Sequence, residues 1–138
     1  MSCLFCKIAN HTIPSNVVAE NDKTLAFLDI HPLAPGHTIV IPKLHSERLS
    51  DLPESDNIAL FLTVKSVSDN ILASIKPDGF TVGINDGPGG GQGVPHVHVH
   101  IIPRWTGDKG GSLHSIVHNP PNESVEEILT KIKLTHNL

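Results

Sequence analysis

The chain has no tyrosine, one tryptophan and four phenylalanines among 138 residues, so its core has to be built from aliphatic side chains with few large aromatic anchors. Cysteine is nearly absent: Cys3 and Cys6 are the only two, too few for the disulfide framework of a small secreted scaffold. The length suits one domain that buries a sufficient core without such staples. Basic charge is in deficit, with 10 Lys and Arg against 14 Asp and Glu and a net charge of −4. That balance excludes the broad basic footprint of a nucleic-acid-binding surface, so a small anionic ligand must be held by local dipoles. No apolar run approaches the roughly 18–20 residues that span a bilayer, and the opening MSCLFCKIAN lacks the basic-then-apolar layout of a secretory signal. These absences predict a soluble, cytoplasmic protein with neither a membrane nor a nucleic-acid polymer as partner. Internal repeats are missing as well, and no linker divides the chain.

Glycine and histidine converge in one stretch, NDGPGGGQGVPHVHVHIIPR at 85–104. Side chains on a strand alternate between faces, so His96, His98 and His100 share one face, about 6.5–7 Å apart, while Val97, Val99 and Ile101 share the other. The aliphatic set demands a core. Three explanations stand for the histidines: the solvated face of an antiparallel strand, where Thr, Lys, Glu and Ser are more usual; an imidazole cluster that only binds metal; or catalysis. The preceding loop favours catalysis, because five glycines between 87 and 93 let backbone N–H groups close around an anion. A phosphate cradle leading into a row of imidazoles suggests phosphate chemistry.

Hydrophobic patterning supplies the frame. A short helical turn is expected near 6–10, then a hairpin of strands 17–20 and 24–28 around Asn21-Asp22-Lys23, and a third strand from 37 to 41 stopped by Pro42. Leu60, Val64, Val67, Ile71 and Ile75 recur at intervals of three and four, predicting a helix over 53–75, capped by Ser55 or Asp51 and ended by Pro77-Asp78-Gly79. Residues 80–84 read as a fourth strand and the histidine row as a fifth. Pro120-Pro121 and the Ser124-x-x-Glu127 pattern announce a last helix over 123–134. The fold class is α+β, about five antiparallel strands in a meander with the long helix covering one face. It makes a single domain, 1–138, with its core at 3–107 and a C-terminal tail with a helix at 108–138.

The Cys3-x-x-Cys6 pair has three readings: a redox pair, which would want a thioredoxin-like setting that this pattern lacks; two small buried hydrophobes; or half of a structural zinc site. Asp29, before His31-Pro32, is first a turn residue.

The run HVHVHII at 96–102 resembles the alternating signature of the histidine triad (HIT) superfamily of nucleotide hydrolases and transferases. The runs 27–45 and 85–93 and the Pro103-Arg104 pair are similar to their counterparts there, so the resemblance covers most of 4–107. It lies near the zinc-type nucleoside phosphoramidase and dinucleoside polyphosphate hydrolase branches. The resemblance implies a HIT-like fold and a two-fold homodimer in which the helix and a strand edge meet. It implies that His98 is the nucleophile, forming a nucleotidyl-histidine, that His100 holds a phosphate oxygen and that His37 supports the pair. Gln92, Asn85, Gly91 and the N–H groups of Gly93 and Val94 would hold the phosphate or leaving group. The purine would lie among Leu4, Phe5, Ile8, Phe27, Leu28 and Ile30, with the ribose on Asp29. In zinc-containing members the cysteine pair is completed by histidines matching His45 and His96, which implies a structural Zn2+ site of Cys3, Cys6, His45 and His96 and no organic cofactor. Other branches lack the cysteines. The implied function is hydrolysis at the α-phosphate of purine nucleoside phosphoramidates or dinucleoside polyphosphates to release the monophosphate; the alternative is a nucleotide-binding regulatory or scaffold protein with vestigial turnover. Two departures bear on this: Gly93 stands where the related hydrolase branches carry a hydroxyl residue, and Val97 stands where transferases to sugar phosphates carry proline.

Overall fold

A computed structural model describes residues 2–135. Five antiparallel strands form one sheet: β1 (Val17–Glu20), β2 (Thr24–Leu28), β3 (Thr38–Pro42), β4 (Gly79–Gly83) and β5 (Val99–Arg104). With them come α1 (Leu4–Ala9), α2 (Glu54–Ile75) and α3 (Val125–Thr135). Strand alternation sorts the aliphatic residues into two layers. Ala26, Val40, Val97, Val99 and Ile101 face α2 and pack on its Leu60, Val64, Val67 and Ile71. Leu25, Phe27, Ile39 and Ile41 turn the other way and pack on Cys3, Phe5, Ile8 and Ala9 of the N-terminal segment and α1. Burying each large aliphatic chain of these layers stabilises the fold by about 1.5–3 kcal/mol.

The α+β class and the five strands agree with the pattern in the sequence, but the meander does not. The sheet order is β1-β2-β3-β5-β4: after β3 the chain crosses through α2 to the far edge, and β5 returns to pair antiparallel with both β3 and β4. Strand pattern encodes faces, not neighbours, so an edge strand and an inserted one read alike. The ends of α2 also differ from expectation. Pro53 occupies the N-cap with no side-chain capping bond, its fixed φ starting the helix without help from Ser55, whose hydroxyl points to Asp56 at 3.5 Å. Asp51 belongs to a separate 3-10 turn, Leu49–Asp51. Lys76, left-handed at φ 53°, closes the helix before Pro77.

The 22-residue α2 has an 18-residue window of mean hydropathy 1.4, long and apolar enough by composition to cross a membrane. In the fold its inner face lies on the sheet, while Ile58, Phe61, Leu62 and Leu72 stay exposed on the outer face. The apolar residues are distributed around the helix instead of in an unbroken run, which is why a linear scan passes over them. At the C-terminus, α3 starts with Ser124 accepting from the Glu127 N–H at 3.1 Å, as the capping pattern requires. Its Val125, Leu129, Ile132 and Leu134 are exposed.

Candidate active site and metal centre

β5 is held on both sides, so the face it shares with α1 is fixed in place. His96, in a bend, and His98 lie just ahead of the ladder, pinned by the Val97 N–H to Ser46 carbonyl bond at 2.7 Å. His100 sits inside β5 opposite Ile39 of β3 and Gly83 of β4. All three imidazoles share the α1 face: Phe5 meets the His96 ring edge-on at 6.0 Å and the His98 ring at 5.0 Å, and His98 meets His100 at 5.0 Å. The solvated-face reading fails, since His96 is fully buried and His98 nearly so.

Hydrogen-bond partners assign the protons ring by ring. His98 Nδ1 lies 2.7 Å from the His96 carbonyl; a carbonyl only accepts, so Nδ1 carries the hydrogen and Nε2 keeps its lone pair. His37 Nδ1 accepts from the Leu33 N–H at 3.1 Å, so His37 carries its proton on Nε2, which donates to His100 Nδ1 at 2.9 Å. His100 therefore presents an Nε2–H. The sequence of donors leaves a nucleophilic nitrogen on one ring beside an N–H donor on the next. Burial lowers the affinity of His37 for a second proton, Asp29 opposing the effect. Burial, then the neighbouring His98 and His37, brings His100 to a pKa of about 4, so that ring is neutral at neutral pH. Asp29 accepts from the His31 N–H at 2.8 Å and lies 3.6 Å from His37 Nε2.

The second half of the face is a donor cluster. His96 Nε2 donates to the Pro42 carbonyl at 2.8 Å, which turns its Nδ1 lone pair toward Cys3 at 3.5 Å, Cys6 at 3.6 Å and His45 Nδ1 at 3.3 Å. Cys6 Sγ lies 3.3 Å from His45 Nδ1. Tetrahedral zinc, with Zn–N about 2.0–2.1 Å and Zn–S about 2.3 Å, separates its own ligands by about 3.3 Å for N···N and about 3.5 Å for S···N. The four residues thus have the chemistry and spacing to hold zinc as a closed site, with the Pro42 carbonyl fixing the His96 tautomer.

The glycine loop is more committed than its composition suggests. Pro88–Gly90 forms a 3-10 turn, and the N–H groups of Gly90, Gly91 and Gln92 return to the carbonyls of Gly87 and Pro88. The Gly91 N–H is used there, which removes it from the expected phosphate donors. Gly93 and Val94 keep N–H groups without an acceptor among the described residues. Gln92 is spent as a brace: its Oε1 accepts from the Gly87 N–H at 2.7 Å, and its Nε2 donates to the carbonyls of Glu47 at 2.8 Å and Val94 at 3.0 Å. Arg48 and Asp86, which sequence reasoning missed, support the same turn. Arg48 Nε meets Asp86 Oδ2 at 3.3 Å, and the Leu49 N–H donates to Asp86 Oδ1 at 2.8 Å; that N–H, then Arg48, holds the Asp86 carboxyl below its ordinary range. Asp86-Gly87 is a turn dipeptide, the one signal that could have flagged it. Gly87 is required at φ 77°, where a Cβ would sit 2.7 Å from the Arg48 guanidinium carbon.

Of the expected base contacts, Phe5, Ile8 and Phe27 are buried, with Phe5 and Phe27 edge-to-face at 5.7 Å. Leu4, Leu28 and Ile30 are exposed, Ile30 at 78%. Asn85 is exposed, with its backbone under Gly90. A depression of about 410 Å³ is lined by Leu4, His45, Gly93 and Val94, between α1 and the loop. A broader one of about 860 Å³ lies elsewhere, along β4, Trp105 and Leu113, and includes none of the triad histidines.

The HIT domain model matches residues 10–107. An uncharacterized HIT-like protein of Methanocaldococcus jannaschii is 40% identical over 135 residues, covering 95% of this chain and 98% of that one. The adenylylsulfatase HINT3 of Arabidopsis thaliana is 39% identical over 102 residues, 74% of this chain and 52% of that longer one. Among solved structures, a HIT family member from Bacillus subtilis superposes with a TM-score of 0.85 at 33% identity, covering 100% of this chain and 98% of the other. A zinc-bound histidine triad family protein from Mycobacterium smegmatis gives 0.75 at 29% identity, covering 99% of each chain. The family model, the relative's sequence and the solved fold agree, and the chain belongs to the HIT family.

Proposed function

We propose that the protein is a nucleotide hydrolase that cleaves the bond between the α-phosphate and its leaving group in purine nucleotides, dinucleoside polyphosphates and phosphoramidates being the candidate substrates. One observation carries this reading: His98 holds its proton on Nδ1 against the His96 carbonyl, so Nε2 is a ready nucleophile. Attack forms a bond from Nε2 to phosphorus and expels the leaving group; water then displaces the imidazole and releases the nucleoside monophosphate. The ring that bonds to phosphorus keeps its Nδ1–H, so the positive charge of the intermediate rests against a carbonyl oxygen. His100 Nε2–H and the N–H groups of Gly93 and Val94 offer hydrogen bonds to the phosphate oxygens as charge shifts onto them. His37 orients His100 and is itself oriented by Leu33. Phe5, Ile8 and Phe27 form the apolar floor on which the base lies, with Leu4, Leu28 and Ile30 at its rim and Asp29 for the ribose. A relative named as an adenylylsulfatase supports chemistry at an adenylyl phosphorus.

Zinc at Cys3, Cys6, His45 and His96 is structural in this reading and ties α1 to the sheet. The spacing of the donors and the zinc-bound relative support it. The protein acts in the cytoplasm as a homodimer that joins the outer face of α2 and the open edge of β4. The test of the activity is release of AMP from diadenosine tetraphosphate by the native protein and by His98→Ala. We expect the variant to lose at least about 10³-fold in turnover while still binding AMP. Equal turnover in both would remove His98 from the mechanism, and AMP binding with no turnover in the native protein would favour the regulatory reading.

A further inference from the structure

We infer that Asp86 is a positioning residue for the phosphate loop: by fastening the entry of the glycine turn to the segment 46–49, it sets the direction in which the Gly93 and Val94 N–H groups meet the α-phosphate. This role rests on the nucleotide site proposed above and adds to it the contact that holds the loop ready before a ligand arrives.

The turn is bonded to itself. The Gly90 and Gln92 N–H groups donate to the Gly87 carbonyl, the Gly91 N–H donates to the Pro88 carbonyl, and Gln92 Oε1 accepts from the Gly87 N–H at 2.7 Å. Such a unit moves as one piece, so its orientation depends on where it is tied to the rest of the chain. Among the described residues it has two polar side-chain ties, and both end on one segment. At the exit, Gln92 Nε2 donates to the Glu47 carbonyl at 2.8 Å. At the entry, Asp86 Oδ1 accepts from the Leu49 N–H at 2.8 Å and Oδ2 accepts from Arg48 Nε at 3.3 Å. The receiving segment is itself anchored. Ser46 is buried and its carbonyl accepts from the Val97 N–H at 2.7 Å, next to His98; beyond the Leu49–Asp51 turn, Leu52 enters the core beneath α2. Ser46, Glu47 and Leu49 thus meet Val97, Gln92 and Asp86 in antiparallel order, a zip outside the sheet that runs from the histidine row to the mouth of the loop.

One tie is a pivot, whereas two define a direction. Without Asp86 the turn swings about Gln92, and the N–H groups of the next two residues swing with it. Holding a phosphate then carries the cost of ordering the turn. That cost falls alike on bound substrate, bound product and transition state, so it weakens phosphate binding and leaves kcat nearly untouched. The two halves of the Asp86 tie are unequal. The Arg48 side chain is 49% exposed, and an ion pair in such a setting contributes little. The shorter bond from the Leu49 N–H, a backbone group, is the one that fixes the turn.

The test titrates AMP and adenosine into the native, Asp86→Ala and Asp86→Asn proteins, beside steady-state hydrolysis of diadenosine tetraphosphate. Adenosine carries no phosphate and so reports the base and ribose contacts alone. We expect Asp86→Ala to weaken AMP binding at least about tenfold and to raise KM in proportion, with adenosine affinity and kcat each changing less than about threefold. Asp86→Asn keeps an oxygen for the Leu49 N–H and should bring AMP affinity back to within about threefold of native. Equal weakening of AMP and adenosine in Asp86→Ala, the mark of a merely destabilised fold, would overturn the positioning role, and so would unchanged AMP binding. A loss in Asp86→Asn as large as in Asp86→Ala would overturn the assignment to the Leu49 bond. If the AMP contrast holds but the native protein does not turn over diadenosine tetraphosphate, the hydrolase reading fails and the role of Asp86 stands.

Discussion

Gln92 illustrates how far a residue's use can depart from its type. Its amide makes three hydrogen bonds to backbone groups, one of them 45 residues away at Glu47, and so closes the glycine loop onto the chain before the Leu49–Asp51 turn. Gln92→Ala should leave these backbone groups unpaired, lowering stability by about 1–3 kcal/mol and raising KM more than it lowers kcat; urea titration with steady-state kinetics would check both. The sequence led to an expectation that this side chain holds phosphate; its use as a brace was not legible, because one partner, Glu47, comes from a distant segment that no local pattern names. Protonation of His100 gives a second test at this scale. Burial depresses its pKa from 6.5 to about 4, so between those values the unfolded chain binds the proton first and stability rises with pH. Unfolding free energy should therefore fall as pH drops from about 6.5 to about 4, with no contribution from this ring above that window. Urea midpoints measured across it should show a shallower slope in His100→Asn.

Among the elements, α1 spans only Leu4–Ala9, far below the length at which a helix is stable by itself in water. It is held by its buried side chains and by Cys3 and Cys6, whose partners His45 and His96 belong to the sheet side. Because Phe5 of the same helix touches both His96 and His98, the candidate metal donors and the proposed nucleophile share one wall. For the proposed zinc-loaded protein, chelation, or Cys6→Ala, should lower Tm by several degrees and weaken AMP binding together; calorimetry beside titration of AMP would reveal a split if α1 were independent of the cluster. On the opposite face, Leu60→Ala should cost about 2–5 kcal/mol, since Leu60 is fully enclosed and the cavity would persist. The inner stripe of α2 and the alternation of Val97, Val99 and Ile101 were readable because each is a local period matched to one face. The outer stripe was not, because a helix apolar on two sides has no dominant period.

At the scale of the molecule, α2 leaves Ile58, Phe61, Leu62 and Leu72 uncovered, and β4 is an edge strand of sequence GFTVG with none of the lysines or prolines that usually guard an open edge. Light scattering should give twice the chain mass, and Phe61→Glu should shift it toward the monomer. The insertion of β5 between β3 and β4 lay beyond the reach of sequence, since the strand that pairs with two neighbours carries no label saying which. That insertion governs how the molecule comes into being on the ribosome. Everything through Gly83 is synthesised before the strand that joins β1-β2-β3 to β4 in the finished sheet. The strand that arrives last closes the gap between them and in the same movement delivers His98 and His100 to their neighbours. A stalled or truncated chain consequently cannot be half competent, and a nucleotide resin that requires both rings would sort finished molecules from unfinished ones.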